Sequence, residues 1–343
     1  MVIVLIAAFC LLIPGMRFAG KGIREDYISV PVTTAVKGFF VVLVFLRHYK
    51  TYVTLSGPLD EAFLEFDNGM GQLIVTLFLF YSGYGIYESY CKKGEGYLGA
   101  FPKKRFLTTL VHFDIAVLLY LVMNLILGRK YSLGRYLLAF TGWYSVGNSS
   151  WFIFVTLLLY VFTYLALRLL PKGWLQPTAV TVLTAVYAIV YDNLYPEYWW
   201  WCDTVYCYAA GMWYSLFRKK IERFAAKKVF WWPVMIVLML TSVELYARRQ
   251  DLAVYQALAV VFALTCVWLS MKVTVNNRLL RWLGGQVFTA YILQHLVMIV
   301  CSEMGLDTYK YPFLIITFAA TMAASALFDR ALRQFDKKVL KIQ

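Results

Sequence analysis

Ten apolar stretches of about 17–25 residues divide the chain, at roughly 31–52, 70–88, 107–127, 151–170, 177–194, 201–217, 229–247, 252–271, 283–302 and 311–331. At 1.5 Å rise per residue, each matches the thickness of a bilayer's hydrocarbon core. Short polar segments separate them. An eleventh stretch, residues 2–16, is apolar but short. The pattern predicts an all-α integral membrane protein: a bundle of ten core transmembrane helices plus one short N-terminal helix, about eleven in total. It divides as residues 1–30, the short helix and a cytoplasmic loop, and residues 31–343, a transmembrane domain with a basic C-terminal tail. Apart from the terminal amine, no positive charge precedes residues 2–16, whereas Arg17, Lys21 and Arg24 follow them. That order favours a retained helix with its N-terminus outside over a cleaved signal peptide.

Composition agrees. Hydrophobic residues make up 61% of the chain and charged residues 15%, against about 25% charged in a soluble domain. With the C-terminus cytoplasmic, 24 of the 33 Lys and Arg fall in cytoplasmic loops and 7 outside. The net charge of +14 therefore reads as positive-inside loops in a multi-pass protein of the plasma or inner membrane, not as a nucleic-acid surface. Arg129, Lys130 and Arg135 fit poorly, since they land outside. Aromatic clusters at 198–201 and 231–232 suit interfacial belts. The six cysteines show no CxxC spacing and read as buried small hydrophobes, not as a disulfide frame or metal site. No repeat, phosphate loop, dinucleotide motif or zinc signature is present, and the loops are too short for an attached soluble domain.

Lys37 and His48 lie eleven residues apart within the first core stretch. Eleven residues is almost three helical turns, so both side chains share one face, roughly 16 Å apart. Ionisable groups inside a bilayer are costly and mark functional paths. In the predicted topology Lys37 is near the cytoplasmic face and His48 in the outer half. That suggests an anionic ligand held at one end and proton transfer at the other. Arg47 points about 100° away, toward a buried acid, the pocket or the headgroups. Tyr81-Ser82-Gly83-Tyr84-Gly85 suits close helix packing or a narrow ligand groove. Glu88 and Asp114 are potential partners of Lys37 or of the basic loop. Lys103, Lys104 and Arg105 can grip phosphates or anchor the membrane. Ser149 and Ser150 precede Trp151-Phe152 and can cap a helix. Gln294 and His295 sit at mid-membrane depth and need partners, either across helices or in a site.

These pieces, in this order, resemble the acyltransferase family 3 membrane proteins, which acylate cell-surface sugars. Val36 through Tyr49, with Lys37 and His48, looks like the family's first core helix. Phe80-Tyr81-Ser82-Gly83-Tyr84 looks like its F-x-S-G-Y segment, Trp151-Phe152 like the pair opening a middle helix, and Trp282-Leu283-Gly284 through Tyr291-Ile292-Leu293-Gln294-His295 like its late helix. The match spans about residues 31–331. The resemblance implies an acyl-CoA donor, acetyl-CoA being the commonest, on the cytoplasmic side and a carbohydrate acceptor on the other, with no metal and no nucleic acid. It implies His48 as the catalytic residue with Lys37 as its basic partner. On that analogy Lys103, Lys104, Arg105, Ser82 and Tyr84 hold the coenzyme, whose pantetheine arm runs past Val41, Val44 and Phe45, while Arg47, Trp151 and His295 face the acceptor. Tyr84, Trp151 and Arg47 are candidate oxyanion donors. The chain departs from the family pattern in three places. Arg105 is followed by Thr108 where the family has a second arginine, the late serine is Thr289, and the extracellular hydrolase-like domain of some members has no counterpart in residues 1–343.

Two other readings compete. A transporter or flippase of anionic or lipid-linked sugars also places charge at mid-membrane, although such proteins often carry repeats. A membrane-bound O-acyltransferase of the other family would rely on His295.

Overall fold

The computed structural model describes residues 1–20 and 22–341. In chain order its helices are α1 (Val2–Cys10), α2 (Val30–Tyr49), α3 (Pro58–Met70), α4 (Leu73–Lys93), α5 (Glu95–Phe101), α6 (Thr108–Ile126), α7 (Leu133–Ala139), α8 (Trp151–Leu169) and α9 (Leu175–Leu194), followed by α10 (Tyr206–Ala225), α11 (Lys228–Ala247), α12 (Leu252–Ser270), α13 (Arg278–Gly285), α14 (Val287–Glu303) and α15 (Lys310–Phe335). Two short strands, β1 (Met16–Phe18) and β2 (Val273–Val275), pair antiparallel with Met16 opposite Val275.

Each of the ten predicted stretches carries a helix. Among the described residues, seven helical stretches are long and apolar enough to cross a membrane, or eight if α13 and α14, bent by 72° at Gln286, form one broken span; α9 and α10 fall outside that set. The protein is thus an all-α membrane protein. Leu240, Val243, Ile315 and Leu327 are at least 65% exposed, as side chains facing lipid are.

Two segments differ from the sequence reading. The N-terminal helix ends at Cys10. Its nine residues rise only about 14 Å, and the rest of residues 2–16 turns and enters β1. Cys10 is exposed, whereas Cys202, Cys207 and Cys301 are buried as expected; all six are free thiols. Residues 58–70, read as loop, form α3. Its apolar side, with Phe63 buried, packs inward, and two of its acids, Asp60 and Asp67, are 1% and 5% exposed. Asp60 binds the Met1 amine and Lys310 Nζ, each at 2.6 Å. Asp67 binds Arg47 Nη1 at 3.0 Å and also Lys50.

Glycines let two helix pairs meet backbone to backbone. A Cβ on Gly38 would lie 1.9 Å from the Leu280 carbonyl oxygen, and one on Gly284 1.8 Å from that of Thr34, so α2 and α13 touch there. Gly83 and Gly211 join α4 and α10 in the same way, with Cβ positions 2.0 and 2.1 Å from Tyr208 O and Phe80 O. Small residues at such crossings are the usual means of close packing in lipid. β1 and β2 close the end of the bundle at the start of α2, where Arg24 N donates to Met271 O at 2.8 Å. In this loop the Arg24 guanidinium, bonded to Asp26 at 2.9 and 3.1 Å, holds the Asp26 carboxyl below its ordinary value.

Candidate active site

A cavity of about 610 Å³ runs between α2, α4, α8, α13 and α14. Its α2 wall is Thr33, Thr34, Lys37, Val41, Val44 and Phe45, the stripe that a 3.6-residue period brings to one face. Lys37 and Arg105 both line it, and neither forms an ion pair with a carboxylate among the described residues. Arg105 is the charge that acts most directly on Lys37. It reaches the cavity from the wide helical turn Pro102–Leu107, which joins α5 to α6. Ser82, Tyr84 and Gly85 line the wall opposite. The glycines of this segment divide the two roles: Gly83 packs against α10, while a Cβ on Gly85 would meet nothing within 4 Å.

At the other end the cavity wall includes Phe152, Tyr291 and Gln294. His48 lies one turn past Val44, half-buried, with its ring 6.4 Å from that of Tyr291. His48 Nδ1 is 3.0 Å from His295 Nε2, and the two rings meet edge to face at 4.5 Å. Tyr52 Oη is 2.7 Å from His295 Nδ1. The histidine expected to face the acceptor is therefore bonded directly to the one expected to be catalytic. A histidine in such a chain can take a proton at one ring nitrogen and release one at the other.

Other expected residues lie elsewhere. Lys103 and Lys104 are exposed on the turn that presents Arg105 and are not among the lining residues. Trp151 is half-buried and packs edge-on against Phe152 at 5.5 Å; Phe152 is on the cavity wall in its place. Arg47 turns to α3, where it donates to Asp67 O and Oδ2 at 3.1 and 3.0 Å. Of its three possible destinations it takes the buried acid. Tyr84 Oη accepts from Arg218 Nη1 at 2.9 Å, so none of the three suggested oxyanion donors stands beside His48. Ser150 occupies the N-cap of α8 but makes no side-chain capping bond. Glu88 pairs with Lys92 and accepts from Ser215, and Asp114 leaves one carboxylate oxygen buried without a partner among the described residues.

The late helix, the Ser-Gly-Tyr segment and the Lys37–His48 helix thus line one cavity. The model of the acyltransferase domain characteristic of acyltransferase family 3 matches residues 34–330, nearly the whole chain. The chain belongs to acyltransferase family 3. No curated protein and no solved structure matches it. The matched residues begin just before Lys37 and run beyond α14, so all the cavity-lining side chains of this membrane acyltransferase except those of Ile28, Val30 and Thr33 fall within the family region.

Of two further residues at this candidate site, Gln294 was singled out in the sequence as needing a partner or lining a site, and Tyr52 was not. Gln294 is 2% exposed and lines the cavity, and its Nε2 has no partner among the described residues. Its amide at mid-membrane depth was the available signal. Tyr52 gave none, because it falls at the polar end of an apolar stretch, where tyrosine is commonplace.

Proposed function

We propose that this membrane acyltransferase transfers an acyl group, acetyl being the simplest, from cytoplasmic acyl-CoA to a hydroxyl of a cell-surface or lipid-linked carbohydrate. The observation that carries the reading is one cavity with two unlike ends. Lys37 and Arg105 stand at one end without carboxylate partners among the described residues, and His48 stands beyond the other, with an apolar wall between them. Coenzyme A has the same order of chemistry, with phosphates, then a long pantetheine arm, then the thioester. The phosphates bind at Lys37 and Arg105, with Lys103 and Lys104 on the approach, and the arm lies along Val41, Val44 and Phe45 past Ser82.

His48 acts as general base on the acceptor hydroxyl, whose oxygen attacks the thioester carbonyl. The Gln294 amide donates to the oxygen on which charge develops, because a buried donor without a partner stabilises that charge more than it stabilises the neutral carbonyl. Arg47 and Trp151, one residue from His48 and from Phe152, shape the acceptor side indirectly. The topology belongs to the same proposal: ten spans following the N-terminal segment 1–30, the N-terminus outside, the C-terminus in the cytoplasm, and the bundle in the plasma or inner membrane.

The test is transfer of label from acetyl-CoA to cell-surface polysaccharide in membranes holding equal amounts of wild type or His48→Ala. Label with the wild type and a loss of at least about 10²-fold in the variant supports the reading. Undiminished label in the variant rejects His48 as base.

A further inference from the structure

His48, His295 and Tyr52 form an unbroken chain: His48 Nδ1 to His295 Nε2 at 3.0 Å, then His295 Nδ1 to Tyr52 Oη at 2.7 Å. Both ring nitrogens of His295 are engaged, and Tyr52, half-buried in the turn beyond α2, ends the chain at the far side of the bundle from Lys37. Such a chain has two proton arrangements. In one, Tyr52 donates to His295, His295 donates to His48, and His48 Nε2 already bears the ring proton, so it cannot act as a base. In the other, His48 Nδ1–H donates to His295 Nε2, His295 Nδ1–H donates to Tyr52 Oη, and His48 Nε2 presents its lone pair.

We propose that Tyr52 and His295 are a proton relay that sets His48 in its basic tautomer and carries the acceptor's proton out of the bundle at the Tyr52 end. The inference rests on the reading of His48 as the general base. As the acceptor oxygen bonds the acyl carbon, its O–H breaks and the proton goes to His48 Nε2. The proton on His48 Nδ1 moves to His295 Nε2, that on His295 Nδ1 moves to Tyr52 Oη, and the tyrosine's own proton passes to water. The C–S bond breaks, and the thiolate takes a proton from water as coenzyme A leaves the cavity. One hydroxyl proton is lost and one thiol proton gained, so the reaction balances without another reactant, and rotation of the two rings and the tyrosine hydroxyl returns the chain to the basic arrangement before the next turnover. Histidine and tyrosine suit this path, since each accepts and donates at once. His48 alone touches the acceptor; His295 and Tyr52 are positioning residues.

The experiment measures kcat and KM for labelled acetyl-CoA in membranes carrying wild type, Tyr52→Phe, Tyr52→Ala and His48→Ala at equal yield, with and without imidazole. Phenylalanine keeps the ring but ends the relay at His295. We expect kcat of Tyr52→Phe to fall on the order of tenfold with KM unchanged. Tyr52→Ala should fall as well and recover several-fold with imidazole, which enters the space left by the ring and takes the proton. Wild type should not respond to imidazole. Wild-type kcat in Tyr52→Phe, or a Tyr52→Ala loss that imidazole leaves unmoved, overturns the relay while the base assignment stands. Full activity in His48→Ala overturns the base assignment itself, and with it the relay.

Discussion

The two ends of α2 treat positive charge in opposite ways. At the C-terminal end three cations meet buried carboxylates: Arg47 and Lys50 share Asp67, and Lys310 binds Asp60. Toward the N-terminal end, Lys37 and Arg105 line a cavity with no carboxylate partner among the described residues. A cation that meets an acid inside the protein is neutralised by the fold and belongs to the structure. A cation left facing a cavity has a standing demand for an anion, which a ligand can meet. On the proposed function, the difference separates the charges that hold this bundle together from those that select what enters it.

The comparison breaks most readily at Asp67. Its replacement by alanine leaves Arg47 and Lys50 without their anion in a largely enclosed place, a change that costs about 3–5 kcal/mol when a buried pair loses one member. Asp67→Ala is therefore expected to lower the unfolding temperature and the yield of folded protein in detergent. Adding Arg47→Met to Asp67→Leu should restore part of that loss, because an apolar pair of similar volume needs no charge partner. Equal stability of wild type and Asp67→Ala, measured by thermal unfolding in the same detergent, would remove the structural half of the comparison.

A smaller loss is expected at Gly284→Ala, which tests how the ligand-facing end is shaped. The added methyl meets the Thr34 carbonyl at 1.8 Å, and two helix backbones must part to admit it. Overpacking of this kind costs about 1–3 kcal/mol. Since Gly284 also lines the cavity beside α2, KM for acyl-CoA should rise along with the loss of stability. Gly85→Ala, on the same cavity but with open space beyond its Cβ, should leave the unfolding temperature unchanged.

Much of this arrangement was legible in the chain, and what was hidden has common causes. Apolar length alone found a helix in each of the ten stretches, seven or eight of which are candidate spans among the described residues. It passed over α3, because Asp60, Glu61, Glu65 and Asp67 depress its hydropathy although Phe63 and Phe66 share its inner side; the acids look solvated until their partners, which lie far along the chain, are known. The eleven-residue spacing placed Lys37, Val41, Val44 and Phe45 on one wall, as helical periodicity requires. It could not show that His48 bonds His295, because a contact across 247 residues depends on how α2 meets α14. Trp151 and Phe152 illustrate the same limit at one position: both were visible as a pair, and the rotation of α8 decided which of them lines the cavity. Arg47 had three possible destinations, and only the docking of α3 selects Asp67.

The mildest substitution bears most directly on the ligand-facing half. Lys37→Gln keeps most of the length of the side chain and a hydrogen-bond donor but removes the charge. No carboxylate is orphaned, because Lys37 pairs with none among the described residues, and the Arg105 cation beside it is relieved of a like charge. The unfolding temperature should therefore stay where it is or rise slightly, the reverse of Asp67→Ala. A charge-assisted bond to phosphate exceeds a neutral one by about 1–1.5 kcal/mol, so KM for acyl-CoA should rise on the order of tenfold. kcat should hold, because the lost contact lies three turns from His48 and is made equally with substrate and transition state. A fall in kcat at constant KM would place Lys37 in the chemical step. A fall in stability would give it an acid within the fold and erase the contrast between the two ends of α2.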